Sequence, residues 1–114
     1  MFRFERGGDP YRKLGVGRIV LIEKWFSDLG ISSDKYTIDK DFNINVGRSL
    51  YLCGTNITSL PNNLLSVEGY LNLRETNITS LPDNLSVEKY IYLDKNKKEK
   101  VYVPEHLKNK VIYK

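Results

Sequence analysis

The sequence predicts a mixed α+β fold, a short solenoid with a parallel sheet that is capped by an N-terminal helix and hairpin. Three observations predict it. The heptapeptide TNITSLP starts at Thr55 and again at Thr76, a period of 21 residues, which is typical of stacked repeats. Leucines alternate with other residues before each copy, which favours a short strand. Nearer the N-terminus, apolar residues recur at helical spacing.

Residues 1–36 are predicted to form an N-terminal arm and a capping helix. Within Gly15–Gly30, one helical face carries the apolar residues Ile19, Ile22, Trp25, Phe26 and Leu29. We predict a helix at about residues 16–29, ended by Gly30 as its C-terminal cap with Ile31 as the hydrophobic follower. The helix is expected to lie over the first repeat, because the ends of a repeat stack need covering.

Residues 37–48 are predicted to form a hairpin that leads into the first repeat. The segment Tyr36–Thr37–Ile38 is followed by the turn-like Asp39–Lys40–Asp41, and Phe42, Ile44 and Val46 then alternate with polar residues. Two alternating segments around a short polar turn are typical of a β-hairpin.

Residues 49–114 are predicted to form three repeats and a closing strand, within one domain of 114 residues. Parallel strands are expected at Ser49–Leu52, Tyr70–Leu73 and Tyr90–Leu93, one in each repeat, about 4.8 Å apart. The third repeat is degenerate and carries extra residues in its KNKKEK stretch. We expect four further apolar residues to cover the opposite wall of the core: Leu64, Val67, Leu85 and Val87.

The spacing of the apolar residues resembles that of leucine-rich repeats, particularly the short bacterial form. The second copy reads L71-x-L73-x-x-T76-x-I78-x-x-L81-P82, against the family's L-x-L-x-x-N-x-L-x-x-L-P, and the likeness covers residues 44–114. The family's asparagine is replaced by Thr55 and Thr76, with Asn96 in the third copy. We expect the threonine hydroxyls to bond the backbone of the neighbouring repeat, as that asparagine does.

The order of three segments resembles a large group of uncharacterised phage-encoded proteins. These segments are DPYRKLGVGRIVLIEKWF, then YTIDKDFNINV, then repeats ending in ITSLP. The resemblance implies a phage origin and a location in the host cytoplasm, and it implies no activity. No apolar run approaches the about 18 residues of a membrane span, and no signal-peptide pattern opens the chain, so we expect no membrane partner.

The chain is poor in residues for catalysis or metal binding. Its one cysteine and one histidine, Cys53 and His106, are expected to lie two repeats apart, about 10 Å, whereas a nucleophile–base dyad needs about 3 Å. We therefore expect a protein that is not an enzyme and has no metal or cofactor. The repeat register instead pairs Arg74 with Asp94 and Glu75 with Lys95 as ion pairs between repeats.

Tyrosines flank the inward leucines of the predicted strands. Outward positions form one column of Ser49, Tyr70 and Tyr90 and a second of Tyr51, Asn72 and Tyr92. Because tyrosine is favoured in binding surfaces, we predict a protein-binding face. Its residues are Tyr51, Tyr70, Asn72, Arg74, Tyr90, Tyr92 and Asp94. The alternative is that tyrosine merely favours strands.

Charge is unevenly distributed over the chain, whose net charge is +4. Residues 49–88 hold one arginine and four acids, whereas residues 89–114 hold eight lysines and three acids. This basic end suggests a nucleic-acid partner as the alternative function, through a patch of Lys95, Lys97, Lys98 and Lys100. The pattern is more typical of lysines that keep an exposed end soluble, because only one arginine, Arg74, lies beyond residue 48 and arginine is the residue that most often reads bases. A virion or self-assembling component is the third hypothesis.

Overall fold

The structure is a computed structural model that describes residues 16–114. These residues have a mixed α and β composition, with a small α-helix and two sheets that contain parallel strands. The chain divides into two units, Met1–Ser33 and Asp34–Lys114. The prediction of a single domain with boundaries after residues 36 and 48 stays a prediction.

Helix α1 spans Val16–Asp28, one residue short of the predicted end. Gly30, with φ +78°, follows it, and its N–H donates to the Ser27 carbonyl while the Ile31 N–H donates to Phe26. These two bonds define a Schellman cap, so the predicted glycine cap is confirmed. Phe26 is fully buried and Ile22 nearly so. The expected position of the helix over the first repeat stays a prediction.

The predicted hairpin is confirmed. Strand β1 (Tyr36–Ile38) pairs antiparallel with β2 (Ile44–Val46). The Asp39 carboxylate closes the turn, because its Oδ1 atom accepts from the backbone N–H groups of Asp41 and Asn43, both at 2.9 Å. The turn covers residues 39–43 between the two strands, which is longer than the three residues expected from the sequence, and Phe42 adopts φ +66° in it.

Each of the first two repeats contributes one strand to each of two sheets. The tyrosine sheet has the order β3-β5-β7-β8, and the hairpin sheet has the order β1-β2-β4-β6. All pairings except β1 with β2 are parallel. The remaining strands are β3 (Leu50–Tyr51), β4 (Leu64–Val67), β5 (Leu71–Asn72), β6 (Ser86–Val87), β7 (Ile91–Leu93) and β8 (Val111–Tyr113).

The apolar side chains of both sheets meet in one core of the second unit. In the register of the tyrosine sheet, Leu50, Leu71 and Ile91 lie opposite one another, and each is at most 2 % exposed. The four residues predicted to cover the opposite wall are buried too. Three of them lie in β4 and β6, so this wall is a second sheet, which the sequence analysis did not predict.

The predicted threonine ladder is wrong. The Thr55 hydroxyl donates to the Leu52 carbonyl and the Thr76 hydroxyl to Leu73, both at 2.7 Å, so each bond stays within its own repeat. Threonine hydroxyls readily bond a backbone carbonyl a few residues earlier in the chain, and both hydroxyls take that local partner here. Asn96 of the third copy is exposed in a 3₁₀ turn, Lys95–Lys97.

Candidate functional site

The tyrosine sheet aligns the predicted surface residues in columns. Tyr51 lies opposite Asn72, and Asn72 lies opposite Tyr92. Ser49 lies two residues before Tyr51, and its Oγ atom accepts from the Tyr70 N–H at 2.9 Å. Tyr51 is 64 % exposed and Tyr90 46 % exposed, while Tyr70, Asn72 and Tyr92 are half-buried. We call this outer surface of the tyrosine sheet the tyrosine face.

Three of the tyrosines form one aromatic cluster. The Tyr70 ring lies 6.3 Å from Tyr90, directly across the strands, and stacks on Tyr92 diagonally at 5.8 Å with an interplanar angle of 23°. Both distances fall in the range in which aromatic pairs attract. The cluster therefore presents a wide apolar surface whose rings hold one another in position.

The side chain of Lys114 joins this cluster. The Lys114 ammonium lies 5.1 Å from the centroid of the Tyr92 ring, within cation–π range. Ile112 lies opposite Tyr92 in the register of β7 and β8. Neither residue was predicted to belong to this surface. The signal that could have found them is that Val111–Tyr113 repeats the apolar spacing of Ile91–Leu93 twenty residues later.

One of the two predicted ion pairs between repeats forms. The Arg74 Nε atom lies 3.7 Å from Asp94 Oδ1, beside the aromatic cluster. The other Asp94 oxygen accepts from the Glu75 N–H at 2.8 Å, which supports the backbone at Glu75, where φ is +59°. A half-exposed pair of this kind contributes at most about 1 kcal/mol to stability, so its main effect is to orient the two side chains.

The predicted Glu75–Lys95 ion pair is wrong for the described structure. The ion pairs among residues 16–114 are Lys24–Asp28, Arg74–Asp94 and Lys108–Glu105. The reason lies in the degenerate third repeat, which leaves the strand register after Leu93. Lys95 there begins a 3₁₀ turn, Lys95–Lys97, instead of continuing beside Glu75.

The four lysines of the predicted basic patch are not part of the tyrosine face. Lys95, Lys98 and Lys100 are exposed and Lys97 is half-exposed, in consecutive turns closed by the Lys97 and Lys100 N–H groups. Among residues 16–114, none of the four ammonium groups forms an ion pair. The segment thus offers uncompensated positive charge at the end of the repeats.

Lys98 also lines a groove at the end of the repeats, which was not predicted from the sequence. The other lining residues are Val101, Tyr102, Val103, Lys108 and Tyr113. Tyr102 bridges back to the second repeat, since its hydroxyl donates to Asp83 Oδ1 at 2.8 Å. This hydrogen bond raises the pKa of the Tyr102 phenol above its ordinary value.

Cys53 and His106 lie beside different sheets. Cys53 is exposed and follows β3 of the tyrosine sheet, whereas the His106 Nε2 atom lies 2.7 Å from the carbonyl oxygen of Leu85, next to β6 of the hairpin sheet. Within the described part of the chain, no group of three or more His, Cys, Asp or Glu residues is placed to hold a metal ion.

Comparison of the chain with known protein families, with curated proteins and with solved structures gives no match. Among residues 16–114, no helix has the length and apolar character needed to cross a membrane.

Proposed function

We propose that this chain is a protein-binding module without catalytic activity, and that its tyrosine face contacts the partner. The contact residues are Tyr51, Tyr70, Asn72, Arg74, Tyr90, Tyr92 and Asp94. The single observation that carries the proposal is the difference between the outer columns of the two sheets. In the hairpin sheet, the outer column is Thr37, Asn45, Ser66 and Ser86, all small and polar.

This difference argues against strand propensity as the reason for the tyrosines. Both columns lie on short, half-exposed strands of the same unit, so a preference of strands for aromatic residues would act on both. Only the tyrosine sheet carries rings there. Tyrosine supplies a large apolar area with few rotatable bonds, and it is enriched among the residues that dominate binding energy.

The ordered backbone of the tyrosine face supports the same conclusion. The Asn72 Oδ1 atom accepts from the Arg74 N–H at 3.1 Å, and ring stacking holds Tyr70 against Tyr92. A surface that is rigid before binding loses less conformational entropy on association. A partner therefore meets an organised apolar centre, flanked by one arginine and one aspartate for orientation.

We further propose that the second unit is a leucine-rich-repeat-like solenoid of phage origin. The register with Leu50 opposite Leu71 opposite Ile91, together with the L-x-L and LP spacing, supports the repeat interpretation. Repeat proteins present such strand faces to partners. In this setting the partner is a host or defence protein in the host cytoplasm, and the chain inhibits it by covering its surface.

The test is an affinity capture from host lysate with three matched baits, analysed by mass spectrometry. The baits are the wild type, the double variant Tyr70→Ala/Tyr92→Ala and the triple variant Lys97→Ser/Lys98→Ser/Lys100→Ser. We expect a protein that the wild type and the lysine variant retain and the tyrosine variant loses. Each tyrosine substitution should weaken binding to the purified partner by at least about 2 kcal/mol, and the lysine variant should remain within about 1 kcal/mol.

Salt dependence distinguishes nucleic-acid binding through Lys95, Lys97, Lys98 and Lys100. Phosphate contacts weaken steeply between about 50 and 200 mM salt, whereas an interface anchored by tyrosines changes little. Retention of the partner by the tyrosine variant and its loss from the lysine variant would contradict the proposal. Light scattering of the chain alone tests the third hypothesis, because a self-assembling component would be larger than a monomer.

A further inference from the structure

Within the described residues 16–114, the outer backbone edge of the last strand of the tyrosine sheet has no strand paired with it. In β3 and β5 the inward residues donate to the following strand: the Leu50 N–H bonds Tyr70 O and the Leu71 N–H bonds Tyr90 O. Val111 and Tyr113 hold the corresponding positions in β8. Among residues 16–114, no strand follows β8 in the sheet.

The β7 side of this strand is already satisfied. The Lys114 N–H donates to Leu93 O at 2.8 Å, and backbone groups alternate in direction along a strand. The N–H and C=O groups of Val111 and Tyr113 therefore point to the open side. An exposed row of such groups is a template for an added strand.

Side chains beside this edge form an apolar groove with a basic rim. Tyr113 lines the groove together with Val101 and Val103, while Lys98 and Lys108 stand at its sides. Both valines are only 7 % exposed, so the apolar part of the groove is formed by residues of the core. An added strand would direct every second side chain into it.

The positive charge around this edge favours an acidic occupant. Residues 95–110 contain six lysines and two glutamates, and Lys98 forms no ion pair within the described structure. A second copy of the chain would bring the same lysines against these, and like charges repel. An extended segment with acidic residues is attracted instead.

We propose that the open edge of β8 binds an extended acidic segment of a partner protein as an additional parallel or antiparallel strand. Its apolar side chains occupy the groove beside Tyr113, and its carboxylates face the lysine rim. This site is separate from the tyrosine face and does not depend on the function proposed for that face. Its recognition is by main-chain hydrogen bonds, with the alternating side chains giving specificity.

The probe is the synthetic peptide acetyl-Glu-Val-Glu-Val-Glu-Val-Glu-amide, titrated into the full chain at neutral pH and followed by amide NMR. We expect saturable binding with hydrogen exchange slowed at the Val111 and Tyr113 amides, while the Lys114 amide, already bonded to Leu93, changes little. The matched peptide with lysine in place of glutamate should bind at least about tenfold more weakly.

Two substitutions at one position isolate the main-chain contact. Tyr113→Val removes the ring and keeps the outward N–H, whereas Tyr113→Pro removes both. Proline is tolerated at a position where the N–H of an edge strand faces outward. We expect the proline variant to bind the peptide about tenfold more weakly than the valine variant. Tyr70→Ala should leave peptide binding unchanged, which separates this proposal from that for the tyrosine face.

Three results would overturn the proposal. The first is equal affinity of the Tyr113→Val and Tyr113→Pro variants, both folded by circular dichroism. The second result is measured on the wild type and does not require the proline variant to fold. It is unchanged hydrogen exchange at the Val111 and Tyr113 amides under saturating peptide. The third is tighter binding of single-stranded DNA than of the peptide, with DNA binding lost only in the variant Lys98→Ser/Lys108→Ser. That result would make the basic rim a polyanion site.

Discussion

The tyrosine sheet and the hairpin sheet share one core and differ in what they turn outward. The outer column of the hairpin sheet is small and polar, and two of its members bond each other: the Ser66 hydroxyl donates to Asn45 Oδ1 at 2.7 Å. The column of the tyrosine sheet carries Tyr51 and Tyr92, together with Ile112. One sheet thus presents small polar side chains, while the other presents aromatic rings and an isoleucine.

The edges of the two sheets also differ, because side chains cover one of them. After β6, the hairpin sheet is followed by the 3₁₀ helix Glu105–Lys110, which supplies side-chain donors to backbone carbonyls. The His106 ring bonds Leu85 O, and the Lys110 ammonium donates to Glu88 O at 3.0 Å. The edge of β8 has no comparable cover within residues 16–114. Repeats of one sequence can therefore build one sheet whose last strand is covered and another whose last strand has no cover within residues 16–114.

The largest expected effect comes from the core that the two sheets share. Leu73 is 1 % exposed, so Leu73→Ala should lower the free energy of unfolding by about 2–5 kcal/mol. Both sheets should unfold together in urea, because the same cavity weakens both. Tyr51→Ala, on the outer side of the same sheet, is the control and should change stability by about 0.5 kcal/mol or less. A Leu73→Ala midpoint equal to that of the wild type would contradict the strand register.

Much of this comparison follows from the sequence, because a repeat fixes the register. The period of 21 residues determines that Leu50 and Leu71 share a column, and therefore that Tyr51 and Asn72 share the outer one. The helix cap is equally local, since Gly30 and Ile31 are adjacent to the bonds that they make. Local chemistry and exact repetition are the signals that a single sequence carries best.

The rest depends on contacts that no local pattern reveals. Strand β6 has two residues, Ser86–Val87, too few for an alternation to be recognised. The stacking of Tyr70 on Tyr92 is diagonal, and it depends on side-chain rotamers rather than on register alone. The open edge of β8 depends on where the degenerate third repeat places the 3₁₀ helix, and its extra residues hide that position from a repeat alignment.

A glycine at the corner between the two sheets gives the next largest effect. Gly69 is buried, and a Cβ atom there would lie 2.7 Å from the Ser49 nitrogen and 2.9 Å from its Cα. Gly69→Ala should therefore lower the free energy of unfolding by about 1–3 kcal/mol. The matched control is Gly47→Ala, where a Cβ atom meets nothing within 4 Å, and stability should be unchanged or slightly higher. Equal urea midpoints for the two variants would show that the corner can open without cost.

The smallest expected effect tests the closed edge directly. His106→Ala removes the ring whose Nε2 atom lies 2.7 Å from the Leu85 carbonyl oxygen, and losing one such bond should lower the free energy of unfolding by about 0.5–1.5 kcal/mol. His106→Gln keeps an N–H donor of similar reach and should recover most of that loss. Because the bond serves the hairpin sheet, hydrogen exchange at the Lys114 amide in the tyrosine sheet should stay unchanged in both variants. An equal loss of hydrogen-exchange protection in the two sheets would show that the histidine supports the shared core instead of the edge. The contrast between a closed and an open edge would then rest on the backbone alone.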